Sequence, residues 1–234
     1  MDEFHLSIAA MAANSDFGKS ELIGHYHNKA LFYVNERKKM VAGITPLAKC
    51  KEWIVNYISS LPVGALVNIS QTEIKELTRK ILNEIDLEIT KTPFSWTGHP
   101  GFSRSANNSI ASLLKLMESF FDPNLGLQEG KIELEQWQKE TLKKKLSNSE
   151  KIILSGAGAI SRYSLAFWFL NGVSTENPAP SNLRSRKCKK DVEIPVAAKD
   201  VLGAIMGGLI GFGFGGPGGA VVGTLAGGTT ASAT

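Results

Sequence analysis

Seven glycines recur every four residues near the end of this 234-residue chain: Gly203, Gly207, Gly211, Gly215, Gly219, Gly223 and Gly227. Between them lie Leu202, Ile205, Leu209, Phe212, Phe214, Val222 and Leu225, and no Asp, Glu, Lys or Arg follows Asp200. On a helix, a four-residue step places the glycines along one gently drifting stripe, where a second helix backbone can approach closely. In water such a helix is poor, because each interior glycine costs about 1 kcal/mol relative to alanine. A second apolar surface has to compensate, and this requirement constrains the chain more than any other feature.

Val201 to Gly228 is free of charge. As one helix it would measure about 42 Å, longer than a hydrocarbon core of about 30 Å. Gly216-Pro217 interrupts it, and a residue before proline is driven out of the helical region. The expectation is a hairpin with arms at about 196–215 and 218–232. Three surroundings are open to it: a bilayer, the interior of the protein's own body, or solvent around a mobile tail. A bilayer is the leading expectation, because it forces backbone hydrogen bonds to close internally. The seven glycines are then candidate membrane and self-association positions, and the partners are membrane lipid and further copies of the chain in a homo-oligomer.

Charge supports this reading. The net charge is +4, yet Arg184, Arg186, Lys187, Lys189 and Lys190 form a cluster just before the tail. These five are candidate lipid-headgroup ligands, since basic residues beside a membrane attract anionic lipid at about 1 kcal/mol each. A nucleic-acid binder would spread basic charge over a face, so no nucleic-acid partner is expected. Residues 173–195 read as a linker. Met1-Asp-Glu-Phe-His5 has no basic n-region, so a membrane-associated protein made without a signal peptide is expected, with a cytoplasmic one as the alternative.

Residues 1–172 read as an all-α body of five to six helices. Leu22, Ile23, Tyr26, Ala30, Leu31 and Val34 mark the first, over 20–40, and Trp53, Ile54, Tyr57 and Ile58 the second, over 47–60. Ser70 and Glu73 form a capping box ahead of Ile74, Leu77, Ile81 and Ile85, in a helix reaching about Ile89. Residues 91–104 read as a loop, and Ser105 is the expected cap of the next helix. An amphipathic helix covers 131–146. Ser147 and Glu150 open the most apolar stretch, Ile152 to Leu170, expected as the central buried helix with Arg162 paired or snorkelling.

Chemistry is hard to find. His25 and His27 lie about 200° apart on a helix and cannot share a metal, so no metal site and no cofactor are expected. His27 and Asn28 read as a structural polar motif holding the first helix to its neighbours. His99 is a loop residue without an evident acid or nucleophile beside it. Cys50 and Cys188 have neither disulfide-framework nor metal-ligand spacing. No small-molecule substrate is identified, and the enzymatic reading, through His27 or His99, ranks last.

Three segments carry a resemblance. Ile23-Gly-His-Tyr-His-Asn-Lys-Ala-Leu-Phe-Tyr-Val34 is similar to a Gly-x-x-His-Asn-x-x-Leu-x-Tyr-Val pattern of uncharacterised bacterial helical proteins, with Gly24, His27 and Asn28 matching. Ile160 to Trp168 resembles their serine- and aromatic-rich late helix. Ala-Lys-Asp200-Val-Leu-Gly203 is similar to their acidic residue followed by a glycine zipper. The resemblance implies this architecture and no activity. Similar tails in bacteriocin-like peptides extend the expectation, by analogy, to a membrane-disrupting effector. The leading expectation is therefore a non-enzymatic membrane-associating helical protein. The alternative is a soluble helical binding module whose tail packs on its own body or on a partner chain.

Overall fold

The structure is a computed structural model that describes residues 12–13, 15–41, 45–85, 92–120, 126–171 and 190–233. Five members of the basic cluster precede or begin the last helix. Of these, Arg184, Arg186, Lys187 and Lys189, with Cys188, lie outside the described residues, as does the side chain of Lys190. The fold is all-α, with no strand among the described residues. A 3-10 turn at Ser15–Phe17 precedes α1 (Lys19–Lys39), α2 (Leu47–Ser60), the one-turn α3 (Gly64–Val67), α4 (Gln71–Glu84), α5 (Arg104–Ser119), α6 (Leu127–Lys143), α7 (Asn148–Asn171) and α8 (Lys190–Ala233).

Local chemistry sets several of these boundaries. Ser70 and Glu73 exchange the two capping-box hydrogen bonds at the start of α4. α4 stops at Glu84, with Ile85 as its extended C-cap, and Ile89 lies outside the described residues. At α5 the cap is Ser103, not Ser105. Ser103 is still extended (φ −61°, ψ 161°), and its Oγ accepts from the Ala106 N–H. The reason is long-range. Glu150, on α7, accepts the Ser103 N–H at 2.6 Å through one carboxylate oxygen and the Ser147 N–H at 2.8 Å through the other. One carboxylate thereby caps two helices. Burial pushes the Glu150 carboxyl up, but these donors outweigh it and hold it below the ordinary range.

α8 begins at Lys190, inside the segment expected to be linker, and is two helical arms, 190–214 and 217–233. Gly215 (φ −144°, ψ 22°) and Gly216 (φ 57°, ψ −143°) break it. The Gly216 conformation is open to glycine alone, and Pro217 then starts the return arm with a preset φ. The hairpin is folded into the body. It packs chiefly on α7 and also meets α1, α2, α4 and α5. One hydrophobic cluster unites Ile54, Ile58, Ile81, Leu113 and Leu154 of the body with Val201, Ile205, Val222 and Leu225 of the hairpin. The centre of the protein is therefore α7 together with the hairpin, where the sequence pattern singles out α7 alone.

The glycine register lies between the arms. Gly203 faces Gly227, Gly207 faces Gly223 and Gly211 faces Gly219, so closely that a Cβ on any of the six would collide with the carbonyl oxygen opposite. Gly215, the seventh, is at the bend, where a Cβ would meet the Leu77 side chain. The other faces of the hairpin, carrying Ala204, Ile205, Ala220, Val222 and Leu225, are buried against the body. Among the described side chains of the hairpin only those at the tip are exposed, with Phe214 48% exposed. Among the described residues one helical stretch, Val196–Ser232, is long and apolar enough to cross a membrane, and 67% of its apolar window is buried inside the protein.

Candidate functional site

The three segments that carry the resemblance come together at one buried polar cluster. Its centre is Asp200, wholly buried in the first hairpin arm. The Ser164 hydroxyl donates to Asp200 Oδ2, and the Trp168 indole N–H donates to the same oxygen at 3.1 Å. Ser232, on the return arm, donates to Oδ1. A single side chain on one arm thus grips α7 and the other arm. Ser164 and Trp168 are four residues apart on one face of α7, which is why both reach the same carboxylate.

His27 and Asn28 complete the cluster from α1. The Asn28 amide donates to the Tyr163 carbonyl at 2.6 Å, which leaves its carbonyl oxygen to accept from His27 Nδ1 at 3.1 Å. That places the imidazole proton on Nδ1 and leaves Nε2 as an acceptor. Nε2 stands 4.0 Å from Asp200 Oδ2, beyond hydrogen-bond reach, and has no hydrogen-bond partner among the described residues. Complete burial lowers the His27 pKa to about 4, against smaller opposing contributions from Asn28 and the Gly228 backbone, so the ring is neutral at pH 7. Burial drives the Asp200 carboxyl well above its ordinary value, and the Ser164 and Trp168 donors pull it part of the way back. Two small residues allow this convergence. A Cβ at Gly24 would overlap the Tyr163 ring, and one at Gly228 would press on the His27 ring.

A second buried ionisable group, Arg162, lies two residues before Ser164 on α7. Arg162 is 2% exposed. Its guanidinium donates to Glu21 of α1, to Gln138 of α6, to the Gly158 carbonyl at 3.2 Å and to the Ala12 carbonyl at 3.2 Å. It also lies 4.6 Å from the centre of the Phe17 ring. Burial lowers its pKa while the Glu21 and Glu135 carboxylates oppose that shift. Burial, with the Glu21 charge, raises Tyr163 to about 12. Arg162 is paired and does not snorkel.

Serine, histidine and aspartate at one place invite comparison with a nucleophilic triad, but the connectivity differs. In a triad the imidazole stands between hydroxyl and carboxylate and takes the hydroxyl proton. Here the Ser164 hydroxyl bonds the carboxylate directly, and the histidine proton points at an amide. The arrangement holds helices together. His99 also serves its own loop, where its backbone N–H and carbonyl bond the Asn107 side chain and Nδ1 accepts the Gly101 N–H. Among the described residues no three His, Cys, Asp or Glu side chains converge as a metal site. Cys50 is a buried free thiol.

No protein-family model matches the sequence, and no curated protein and no solved structure is significantly similar to it.

Sequence reasoning points to His27 and Asn28 but not to what they face. It marks Ser164 and Trp168 only as part of the serine- and aromatic-rich segment that carries the resemblance, and it passes over Ser232, Glu21 and Gln138, which look like ordinary helix residues. A signal for Asp200 is present nonetheless, because it is the last charge before 34 uncharged residues.

Proposed function

We propose that this chain is a non-enzymatic helical binding module whose glycine-rich hairpin is the internal scaffold of its own body. The observation that carries this is the pairing of Gly203, Gly207 and Gly211 with Gly227, Gly223 and Gly219 inside one chain. The close-approach face is occupied intramolecularly and the remaining faces are covered by the body. In the folded state, neither lipid nor a second copy is needed to compensate the weak helix propensity of the glycines.

A second reading is kept on one observation, the exposed Phe214 at the tip of an otherwise buried apolar hairpin. On that reading the hairpin is a stored membrane-seeking element. It leaves the body for a bilayer surface and associates there, as a membrane-disrupting effector would, while Arg184, Arg186, Lys187, Lys189 and Lys190 meet anionic headgroups.

Amide hydrogen exchange on the full chain, with and without anionic vesicles, separates the two. The scaffold reading expects strong protection across 197–230 without lipid, unchanged when vesicles are added, and no flotation of the chain with them. Weak protection in buffer, with flotation and protection appearing together on vesicles, overturns it in favour of the stored hairpin.

A further inference from the structure

The return arm of the hairpin forms one wall of a cleft of about 540 Å³ against α1, α3 and α7. Pro217 and Val221 face Ile23, Val67 and Ile152 across it. The volume falls within the range of about 300–1,000 Å³ typical of small-molecule sites. Two of the polar side chains along the wall are already engaged: Ser20 Oγ donates to the Phe17 carbonyl at 2.8 Å, and Ser155 accepts from Gln138. What remains is hydrocarbon from Ile23, Val67, Leu142, Ile152 and Val221, with the Asn68 amide and two ammonium groups, Lys19 and Lys151, at the exposed edge. Among the described residues no acidic side chain lines the cleft. Among the described residues neither lysine has an ion-pair partner.

We propose that this cleft binds a long-chain carboxylate, a fatty acid, with its alkyl chain between Val221 and Ile152 and its carboxylate at Lys19 and Lys151. The charge pattern selects an anion. Between Ile23, Ile152 and Val221 the walls are aliphatic, which selects a plain hydrocarbon tail there, since a polar group buried among them would be left without a partner. The proposal rests on the scaffold reading in one respect: the wall made by Pro217 and Val221 exists only while the hairpin is packed on the body.

The test is a fluorescence titration of the full chain with cis-parinaric acid and, in parallel, its methyl ester, below the concentration at which either aggregates. The native chain is expected to show saturable binding of one equivalent. Combining Lys19→Glu with Lys151→Glu, both at exposed positions, is expected to weaken the acid about tenfold and leave the ester unchanged. Val221→Trp, filling the cleft, is expected to abolish binding of both. No saturable signal with the native chain overturns the proposal, and so does an acid affinity unchanged by the two charge reversals. If Val221→Trp does not fold by circular dichroism, the comparison of acid and ester on the charge-reversed chain decides alone. Hydrogen exchange judges the hairpin separately. A protected hairpin with no parinarate binding sinks the cleft proposal only, whereas an unprotected hairpin sinks the scaffold reading.

Discussion

Gly207 and Gly223 sit back to back across the hairpin, each so near the other's carbonyl oxygen that neither position has room for a methyl group. The contact joins residues from opposite arms, so what a substitution there breaks is the fold itself. Gly207→Ala is expected to lower stability by about 2–3 kcal/mol, a cost typical of overpacking, because the colliding atom is backbone and cannot rotate away. Gly211→Leu is expected to prevent the native fold altogether, with no selective loss of self-association. Urea unfolding for the first and near-ultraviolet circular dichroism for the second check both.

Asp200 ties the first hairpin arm to α7 through Ser164 and Trp168 and to the return arm through Ser232. Asp200→Ala leaves the buried Ser164 donor and the half-buried Trp168 and Ser232 donors without this acceptor. It is expected to cost about 2–4 kcal/mol, measured by chemical denaturation. Ser232→Ala removes one of the three donors and is expected to cost about 1 kcal/mol.

The same cluster predicts how stability responds to acid. His27 has a folded pKa of about 4 against 6.5 in the unfolded chain, so its contribution is complete above pH 6.5 and is lost as pH falls towards 4. Asp200 acts in the opposite sense. Its raised folded pKa favours the fold at low pH, and that contribution is lost as pH rises from its ordinary value through the raised one. Over pH 4–6.5 the two oppose each other. His27→Gln, with Asp200 left alone, is expected to give a protein relatively more stable in acid. Asp200→Asn, with His27 left alone, is expected to become acid-labile by up to about 3 kcal/mol between pH 6.5 and 4. Thermal midpoints of the three proteins across that window test the signs.

Glu21 and Arg162 form a buried ion pair between α1 and α7. Removing one partner strands a buried charge. Glu21→Leu is therefore expected to cost about 3–5 kcal/mol, and combining it with Arg162→Met is expected to restore most of that loss. A double-mutant cycle by urea unfolding gives the coupling directly.

Removal of residues 196–234 is expected to leave an unstable fragment and not a free-standing body. Leu154, Ala157 and Leu165 of α7 belong to the same cluster as the hairpin and would lose the hairpin as a packing partner. A broad, non-cooperative thermal transition of the truncated chain, with binding of a hydrophobic dye, is the expected result.

Much of the fold is legible locally. The helix over 47–60, the capping boxes at Ser70 and Ser147, and the hairpin bend at Gly216-Pro217 each rest on residues within one or two turns of one another. What is not legible joins distant parts of the chain. Ser103 displaces Ser105 as a cap because Glu150 is 47 residues away in sequence yet within hydrogen-bond distance. Ser164 and Trp168 gain meaning only because Asp200 arrives beside them.

The sequence by itself determined that the last segment must be a pair of glycine-lined helices needing an apolar partner. Periodicity, proline placement and the absence of charge are properties of the chain alone. Which partner meets them was decided by the tertiary structure. A glycine stripe is equally suited to lipid-embedded helices, to a second copy and to its own return arm. The choice among these depends on shape and on the few buried polar groups, here Asp200, His27 and Asn28, that bring the body around the hairpin.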